Sequence, residues 1–252
     1  RWVPFVMSDL APLQMVAIGL IFVWGSLVRS GIGFGGAAVA MPLLLLIVDS
    51  PLIVMPVIAV QLLIFAGITT VTRLESVDWG YIGRSFIIIL PFKIIGLVGL
   101  LNLPGSVLSI AVFVLTGAYG ASYLLGVSFR SNSVWLDRAL LALGGYASGT
   151  SLIGAPLLVA VYVRHVASER LRETLFVLWM LLASMKLATF LATGVNMQWQ
   201  AQLWLLPCAA VGHVLGLKVH RHLLRAQGGS FMRVMGAALL GVSLAGLVRV
   251  IF

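Results

Sequence analysis

The sequence predicts an all-α polytopic membrane protein with about ten membrane segments, some short, broken or re-entrant, in two inverted five-segment repeats. Three observations predict this class: the composition, the length of the apolar stretches and a glycine-rich interruption that occurs once in each half. Of the 252 residues, 61% are hydrophobic and only 9% are charged, whereas soluble domains carry roughly 25% charged residues. The apolar stretches leave little sequence for a soluble domain.

The apolar stretches are long enough to cross a bilayer. Residues 11–28, 52–72 and 104–125 are predominantly apolar, and about 20 helical residues span a hydrocarbon core of roughly 30 Å. The second, sixth and seventh predicted segments are shorter, so we expect them to cross a thin region or to pair with a neighbour as re-entrant hairpins. The ten predicted segments are 11–29, 34–48, 52–72, 80–101, 104–125, 134–148, 151–163, 169–193, 199–222 and 229–251.

Basic residues on alternate connections predict the orientation of the segments. Arg or Lys occurs in the connections 73–84, 126–138, 164–172 and 218–233, whereas 49–51, 102–104 and 194–198 contain neither. Because basic connections stay in the cytoplasm, both termini are expected outside it, and the expected location is a bacterial plasma (inner) membrane. The net charge of +9 is explained by this orientation, and no nucleic-acid partner is expected.

A glycine-rich run interrupts the apolar sequence in each half. Residues 30–36 read SGIGFGG and residues 144–151 read GGYASGTS. Broken backbone at membrane depth is tolerated only where protein buries it or where it lines a cavity. A matched pair of interrupted segments is therefore the best sequence pointer to the substrate site of a transporter.

The two halves align with each other. A shift of 118 residues places Gly36 on Gly154 and Ser50 on Ser168. We divide the chain into a first repeat, 1–128, and a second repeat, 129–252, each with five segments. An odd number of segments predicts opposite orientations, which suits alternating access with the site between the repeats near the midplane. The alternative is a chance match between two apolar sequences.

Four runs of the sequence resemble the motifs of one known family: residues 33–44 (GFGGAAVAMPLL), 149–156 (GTSLIGAP), 172–175 (RETL) and 77–79 (VDW). They are similar to those of the sulfite exporter TauE/SafE family, also called the toluene-sulfonate uptake permeases, and the resemblance spans about residues 12–250. It implies transport of sulfite, sulfoacetate or other organosulfonates by export or import. The second motif departs from the family pattern at residues 151–153 and at Ala155, where the family has more glycine or proline, so the substrate of a better-known member does not transfer directly.

Both glycine motifs precede a helical run, which makes them candidates for an anion site. Unpaired backbone N–H groups and the positive ends of helices bind anions, and the hydroxyls of Ser30 and Ser148 would add donors. The alternative is that the glycines permit close helix packing and the hydroxyls bond to their own helix. The predicted substrate-binding residues of the motifs are Gly33, Phe34, Gly35, Gly36, Gly149, Thr150, Ser151 and Gly154.

Five further polar residues within apolar segments are candidates for substrate binding or gating. Lys93 is the best candidate for the counter-charge of the substrate, and Lys186 is a second; both are alternatively lysines that reach the interface. Gln61 binds either the substrate or a neighbouring helix. Arg29 either attracts anions at the cytoplasmic mouth of the site or fixes the orientation of its segment in the membrane. His213 either relays a proton or has a structural role.

The polar and charged residues of the sequence also argue against several classes of protein function. No carboxylate is clearly placed mid-membrane, which argues against a divalent-cation carrier. No phosphate-binding loop and no Cys/His metal spacing occur, so no metal, no cofactor and no enzymatic activity are expected. The expected partners are a small anion, the lipid bilayer and a coupling ion, H⁺ or Na⁺. An anion channel, a carboxylate transporter and a homodimer remain open alternatives.

Overall fold

The computed structural model describes residues 10–33, 35–126, 133–226 and 229–252, without the side chains of 32, 219–226 and 229–232. Among these residues every regular element is helical and no strand occurs. A 3₁₀ helix, Val71–Ser76, extends α3. The α-helices are α1 (Pro12–Ile32), α2 (Gly36–Leu44), α3 (Pro51–Thr70), α4 (Trp79–Asn102), α5 (Gly105–Leu125), α6 (Val134–Thr150), α7 (Ala155–His165), α8 (Ser168–Ala192), α9 (Trp199–Ala226) and α10 (Gly229–Ile251).

Local sequence sets the ends of these helices. Asp78 caps α4, where its side chain accepts a hydrogen bond from the Tyr81 N–H at 2.8 Å, and Ser133 caps α6 by accepting one from Leu136 N–H at 3.1 Å. Each cap satisfies a backbone N–H that has no partner in the first turn of its helix. At the other end, α1 stops at Gly33, whose φ of 94° is left-handed and suits glycine.

The helices differ in whether they can cross a membrane. Seven are long and apolar enough, namely α1, α3, α4, α5, α8, α9 and α10. In contrast, α2 has 9 residues, α7 has 11 and α6 has 17. The chain is therefore an all-helical, multi-pass membrane protein. The ten predicted segments correspond in order to the ten helices, while the number of complete crossings stays a prediction.

Helix pairs organise the packing. The pairs are α1 with α9, α4 with α6, α5 with α10 and α3 with α8, and the hairpins α1–α2 and α6–α7 complete the set. Glycine permits the close approach in three of the pairs, α1–α9, α4–α6 and α5–α10. For example, a Cβ on Gly96 of α4 would overlap the Tyr146 carbonyl of α6, and one on Gly212 of α9 would overlap the Val23 carbonyl of α1. Small residues play this role at membrane helix interfaces.

The helices α3 and α8 occupy the interior of the molecule. In each of these two helices, 56% of the most apolar 18-residue stretch is buried, against 22–39% of the corresponding stretch in the other five long helices. The short helices α2 and α7 pack beside them. Polar side chains that project from α4 and α8 toward this interior are thereby removed from lipid.

Candidate functional site

A cavity lies where the first turns of α2 and α7 approach the interior. Its empty volume is about 530 Å³, which includes the open space at its mouth. Gly35, Gly36 and Ala37 line it from the α2 side, and Ala155 lines it from the start of α7. We call it the central cavity.

The backbone at both breaks exposes the positive ends of helices to the central cavity. Gly35 precedes α2 with a left-handed φ of 81°, a conformation that strains any residue with a Cβ. The first N–H groups of a helix have no partner within it and carry a partial positive charge. The cavity therefore meets two such ends, one from each half of the chain.

Lys93 of α4 lines the central cavity and is completely buried. Its Nζ donates a hydrogen bond to the carbonyl of Ser148 at 2.8 Å. This carbonyl belongs to the last turn of α6, where the helix dipole is negative. One neutral carbonyl leaves the ammonium with unused donors and an uncompensated charge.

Lys186 of α8 is also completely buried and lies beside Lys93. Its Nζ donates to the Gly149 carbonyl at 2.7 Å and lies 3.7 Å from the Met55 sulfur. It does not line the central cavity. The two lysines thus bind successive carbonyls at the end of α6, and both are buried inside the protein.

Arg29 of α1 is the third buried cation, with 9% of its surface exposed. It lines the central cavity, donates to the Ser26 hydroxyl at 3.2 Å and lies 5.4 Å from the centre of the Phe65 ring. The four ion pairs found among the described residues involve other groups. Buried charges are normally paired, and here three buried basic side chains lie close together without a carboxylate partner in the described part of the chain.

A second polar cluster surrounds the end of α1. The Ser30 hydroxyl and His213 Nδ1 of α9 are 2.6 Å apart, and Arg172 of α8 donates to the Ser30 carbonyl at 3.0 Å. The His213 ring lies 4.9 Å from that of Phe65. His213 thus adjoins the Arg29 side of the cavity and has a hydroxyl partner.

The family model of the sulfite exporter TauE/SafE matches residues 17–246. The chain belongs to the TauE/SafE family. Comparison with curated proteins and with solved structures gave no match. TauE/SafE is a family of membrane transporters. The match confirms the family resemblance predicted from the sequence motifs.

Most motif glycines of this TauE/SafE protein make close helix contacts. A Cβ on Gly36 would overlap the Gly25 carbonyl, one on Gly154 would overlap the Gly144 carbonyl, and one on Gly149 would lie 2.7 Å from the Cα of Gly96. Gly36 and Gly154 also sit at the starts of α2 and α7. The same glycines therefore pack the hairpins and bring the helix ends to the cavity.

The hydroxyls of the second motif bond to their own helix. Ser148 donates to the Gly145 carbonyl at 2.9 Å, Ser151 to the Ala147 carbonyl at 2.7 Å and Thr150 to the Tyr146 carbonyl at 3.2 Å. Their protons are thus engaged in this structure. Of the first motif, Gly33 ends α1 beside Arg172, and Phe34 lies outside the described residues.

Trp179 of α8 is a cavity residue that the sequence analysis missed. It is 8% exposed, it lines the central cavity, and its indole N–H is buried without a hydrogen-bond partner. Its position was a usable signal, because tryptophans of membrane proteins concentrate at the interfaces and Trp179 lies in mid-helix. Gln61 lines an adjoining, smaller cavity. No cluster of three or more potential metal-ligating side chains occurs among the residues that the structure describes.

Proposed function

We propose that this TauE/SafE protein is a secondary transporter of small sulfur-containing anions, such as sulfite, sulfoacetate or other organosulfonates, in a bacterial inner membrane. The observation that carries the proposal is the central cavity, where the buried cations Lys93 and Arg29 meet the starts of α2 and α7. The anion would lie between these groups, near the midplane.

The chemistry of the cavity suits an oxyanion with several acceptor oxygens. Lys93 has free ammonium donors beyond its bond to Ser148, Trp179 offers an unpartnered N–H, and the helix ends offer backbone N–H groups. A sulfonate or sulfite has three oxygens and would accept from several of these donors at once. Charge-assisted hydrogen bonds in a dry cavity are stronger than neutral ones. Lys186 would add favourable potential without touching the anion.

The pattern of helix contacts supports two structural repeats, 1–128 and 129–252. Exchanging α1–α5 with α6–α10 in order converts the α1–α9 pair into α6–α4 and the α1–α2 hairpin into α6–α7, and it maps α3–α8 and α5–α10 onto themselves. An inverted pair of repeats with its site at their interface would transport by rocking of one repeat against the other. Arg29 would gate the mouth, and His213 with Ser30 would relay a proton if H⁺ is the coupling ion.

Ligand-induced stabilisation of the purified protein tests the cargo. We expect sulfite or a sulfonate to raise the melting temperature, because a ligand that binds only the folded state stabilises it by mass action. The panel is sulfite, sulfoacetate, taurine, sulfate and thiosulfate, with acetate as the carboxylate control. Stabilisation by acetate alone would contradict a sulfur anion as cargo.

Two lysine variants test the site. Lys93→Gln should abolish the stabilisation by the anion, since it removes a buried charge from the cavity wall. Lys218→Gln is the matched control, because Lys218 is an exposed residue of α9, and it should bind like the wild type. Full affinity in Lys93→Gln would place the site elsewhere. Saturable uptake into proteoliposomes then separates a carrier from an anion channel.

A further inference from the structure

A second cavity adjoins the central cavity on the far side of Arg29. Its empty volume is about 270 Å³, and it shares Arg29, Gly36 and Ala37 with the central cavity. The rest of its wall is mainly apolar and comes from α1, α2 and α3, with Phe22, Ala40 and Ile58 among its residues. We call this space the side chamber.

One polar side chain in the side chamber lacks a partner. Gln61 of α3 is 1% exposed, and its Nε2 is buried without a hydrogen-bond acceptor. Buried amide groups are nearly always satisfied, and an unsatisfied donor costs the full desolvation of its N–H groups. A donor of this kind in the wall of a cavity can be satisfied by an acceptor that enters the cavity.

The other polar groups of the chamber are engaged with each other. The Ser26 hydroxyl accepts a hydrogen bond from Arg29, and the Arg29 guanidinium stands at the wall that both cavities share. A planar guanidinium with five N–H donors can bind acceptors on two sides. Arg29 therefore stands where it can contact both the head of a ligand in the central cavity and a tail that extends into the chamber.

We propose that the side chamber is a subsite for the tail of the transported anion and that Gln61 is its specificity-determining residue. The inference rests on the proposed function, in which the anionic head lies at Lys93. The tail that fits is short, because the chamber is small. It runs along the apolar lining of the chamber and ends in a hydrogen-bond acceptor that faces Gln61. Cargo with an oxygen-bearing tail is then preferred over cargo of the same size with a purely apolar tail.

A pair of sulfonates of similar size tests the subsite. Sulfoacetate carries a carboxylate tail and ethanesulfonate a methyl group in the same place, so they share the head and differ in the acceptor and in one negative charge. We expect the wild-type protein to bind sulfoacetate at least about tenfold more tightly, as for a hydrogen bond to a charged acceptor. In Gln61→Leu, affinity for sulfoacetate should fall about tenfold, while affinity for ethanesulfonate should not change. The preference that remains would come from the attraction of Arg29 for the second negative charge of sulfoacetate.

A second variant reverses the preference rather than removing it. Gln61→Glu places a carboxylate in the chamber, which should repel sulfoacetate and favour taurine, whose tail is an ammonium group. Thr116→Val is the matched control, since the Thr116 hydroxyl is also buried without a partner and lines neither cavity. It should leave all three affinities unchanged.

The outcomes separate the tail subsite from the function on which it rests. If the wild type binds neither sulfite nor any sulfonate, the proposed function fails and the subsite with it. If the wild type binds both sulfonates but Gln61→Leu keeps the full preference for sulfoacetate, the subsite alone is overturned. A change in Thr116→Val as large as that in Gln61→Leu would also overturn it, because loss of a buried polar group would then suffice.

Discussion

Lys93 and Lys186 carry the same charge, are buried to the same degree and bind adjacent carbonyls, at Ser148 and Gly149. Only Lys93 lines the central cavity. Under the proposed function, Lys93 would contact the anion directly and Lys186 would attract it only at longer range. The division makes the roles of the two lysines experimentally separable.

We expect Lys186→Gln to weaken anion binding only a few-fold, in contrast to the loss expected for Lys93→Gln. The variant removes a nearby charge but no contact with the ligand, and the effective dielectric of a protein site reduces such attraction. Titration of the melting temperature with sulfite measures both affinities. Equal loss of binding in the two variants would mean that Lys186 also contacts the anion.

A second residue-scale prediction concerns Asp137 at the start of α6. Its buried carboxylate accepts from Arg164 at 3.0 Å and pairs with His165 at 2.8 Å, both at the end of α7. Asp137→Asn should lower stability on the order of 1–2 kcal/mol, because partly buried charged hydrogen bonds are lost.

The control for Asp137→Asn is Asp49→Asn. Asp49 pairs with Arg249, but its side chain is 89% exposed, so the change should stay within about 0.5 kcal/mol. Melting temperatures in the same detergent compare the two variants. A larger effect at Asp49 than at Asp137 would contradict a stabilising role for the contacts of Asp137 with Arg164 and His165.

At the scale of elements, glycine decides how closely α4 approaches α6. A Cβ on Gly96 would lie 2.9 Å from the Cα of Gly149 and 3.1 Å from the backbone N of Thr150. Backbone atoms cannot move aside as a flexible side chain can. The helices would have to separate, and the end of α6 that binds Lys93 would shift with them.

We therefore expect Gly96→Ala to destabilise the protein by about 1–3 kcal/mol and to weaken anion binding. Gly83→Ala on the same helix is the control, since a Cβ there meets nothing within 4 Å. It should be neutral or stabilising by up to about 1 kcal/mol through helix propensity. Thermal melting with and without sulfite measures both effects, and a neutral Gly96→Ala would refute close packing of the pair.

At the scale of the whole molecule, the proposed inversion of the repeats fixes which connections face the cytoplasm. The basic connection 164–172 is expected inside and the neutral connection 194–198 outside. Glu169 and Thr193 are exposed residues at the two ends of α8. They offer positions for a chemical probe that distinguishes the two sides.

Thiol labelling in intact cells tests this topology. The chain has a single cysteine, Cys208, so Cys208→Ser supplies a background without thiols. In that background a membrane-impermeant reagent should label Thr193→Cys directly and Glu169→Cys only after permeabilisation. The opposite pattern would invert the topology, and equal labelling of both in intact cells would contradict a spanning α8.

The membrane class, the order of the ten helices and the family could all be predicted from the sequence. These properties follow from apolar composition, from segment length and from local signals such as the glycine that ends α1, all of which act over neighbouring residues. Polar residues inside apolar segments were also recognisable, because each is costly in lipid. For this reason Lys93, Lys186, Arg29 and Gln61 were identified before any fold was known.

The positions of those residues relative to the central cavity and the side chamber follow from tertiary contacts and could not be predicted from the sequence. Lys93 and Ser148 are 55 positions apart, and Lys186 and Gly149 are 37 apart, so pattern along the chain cannot predict either hydrogen bond. The central cavity, whose wall includes Trp179, and the side chamber, whose wall includes Gln61, form where helices that are distant in the sequence pack together. The desolvation cost of each buried charge and each unpaired N–H group arises only when those helices pack together and bury it.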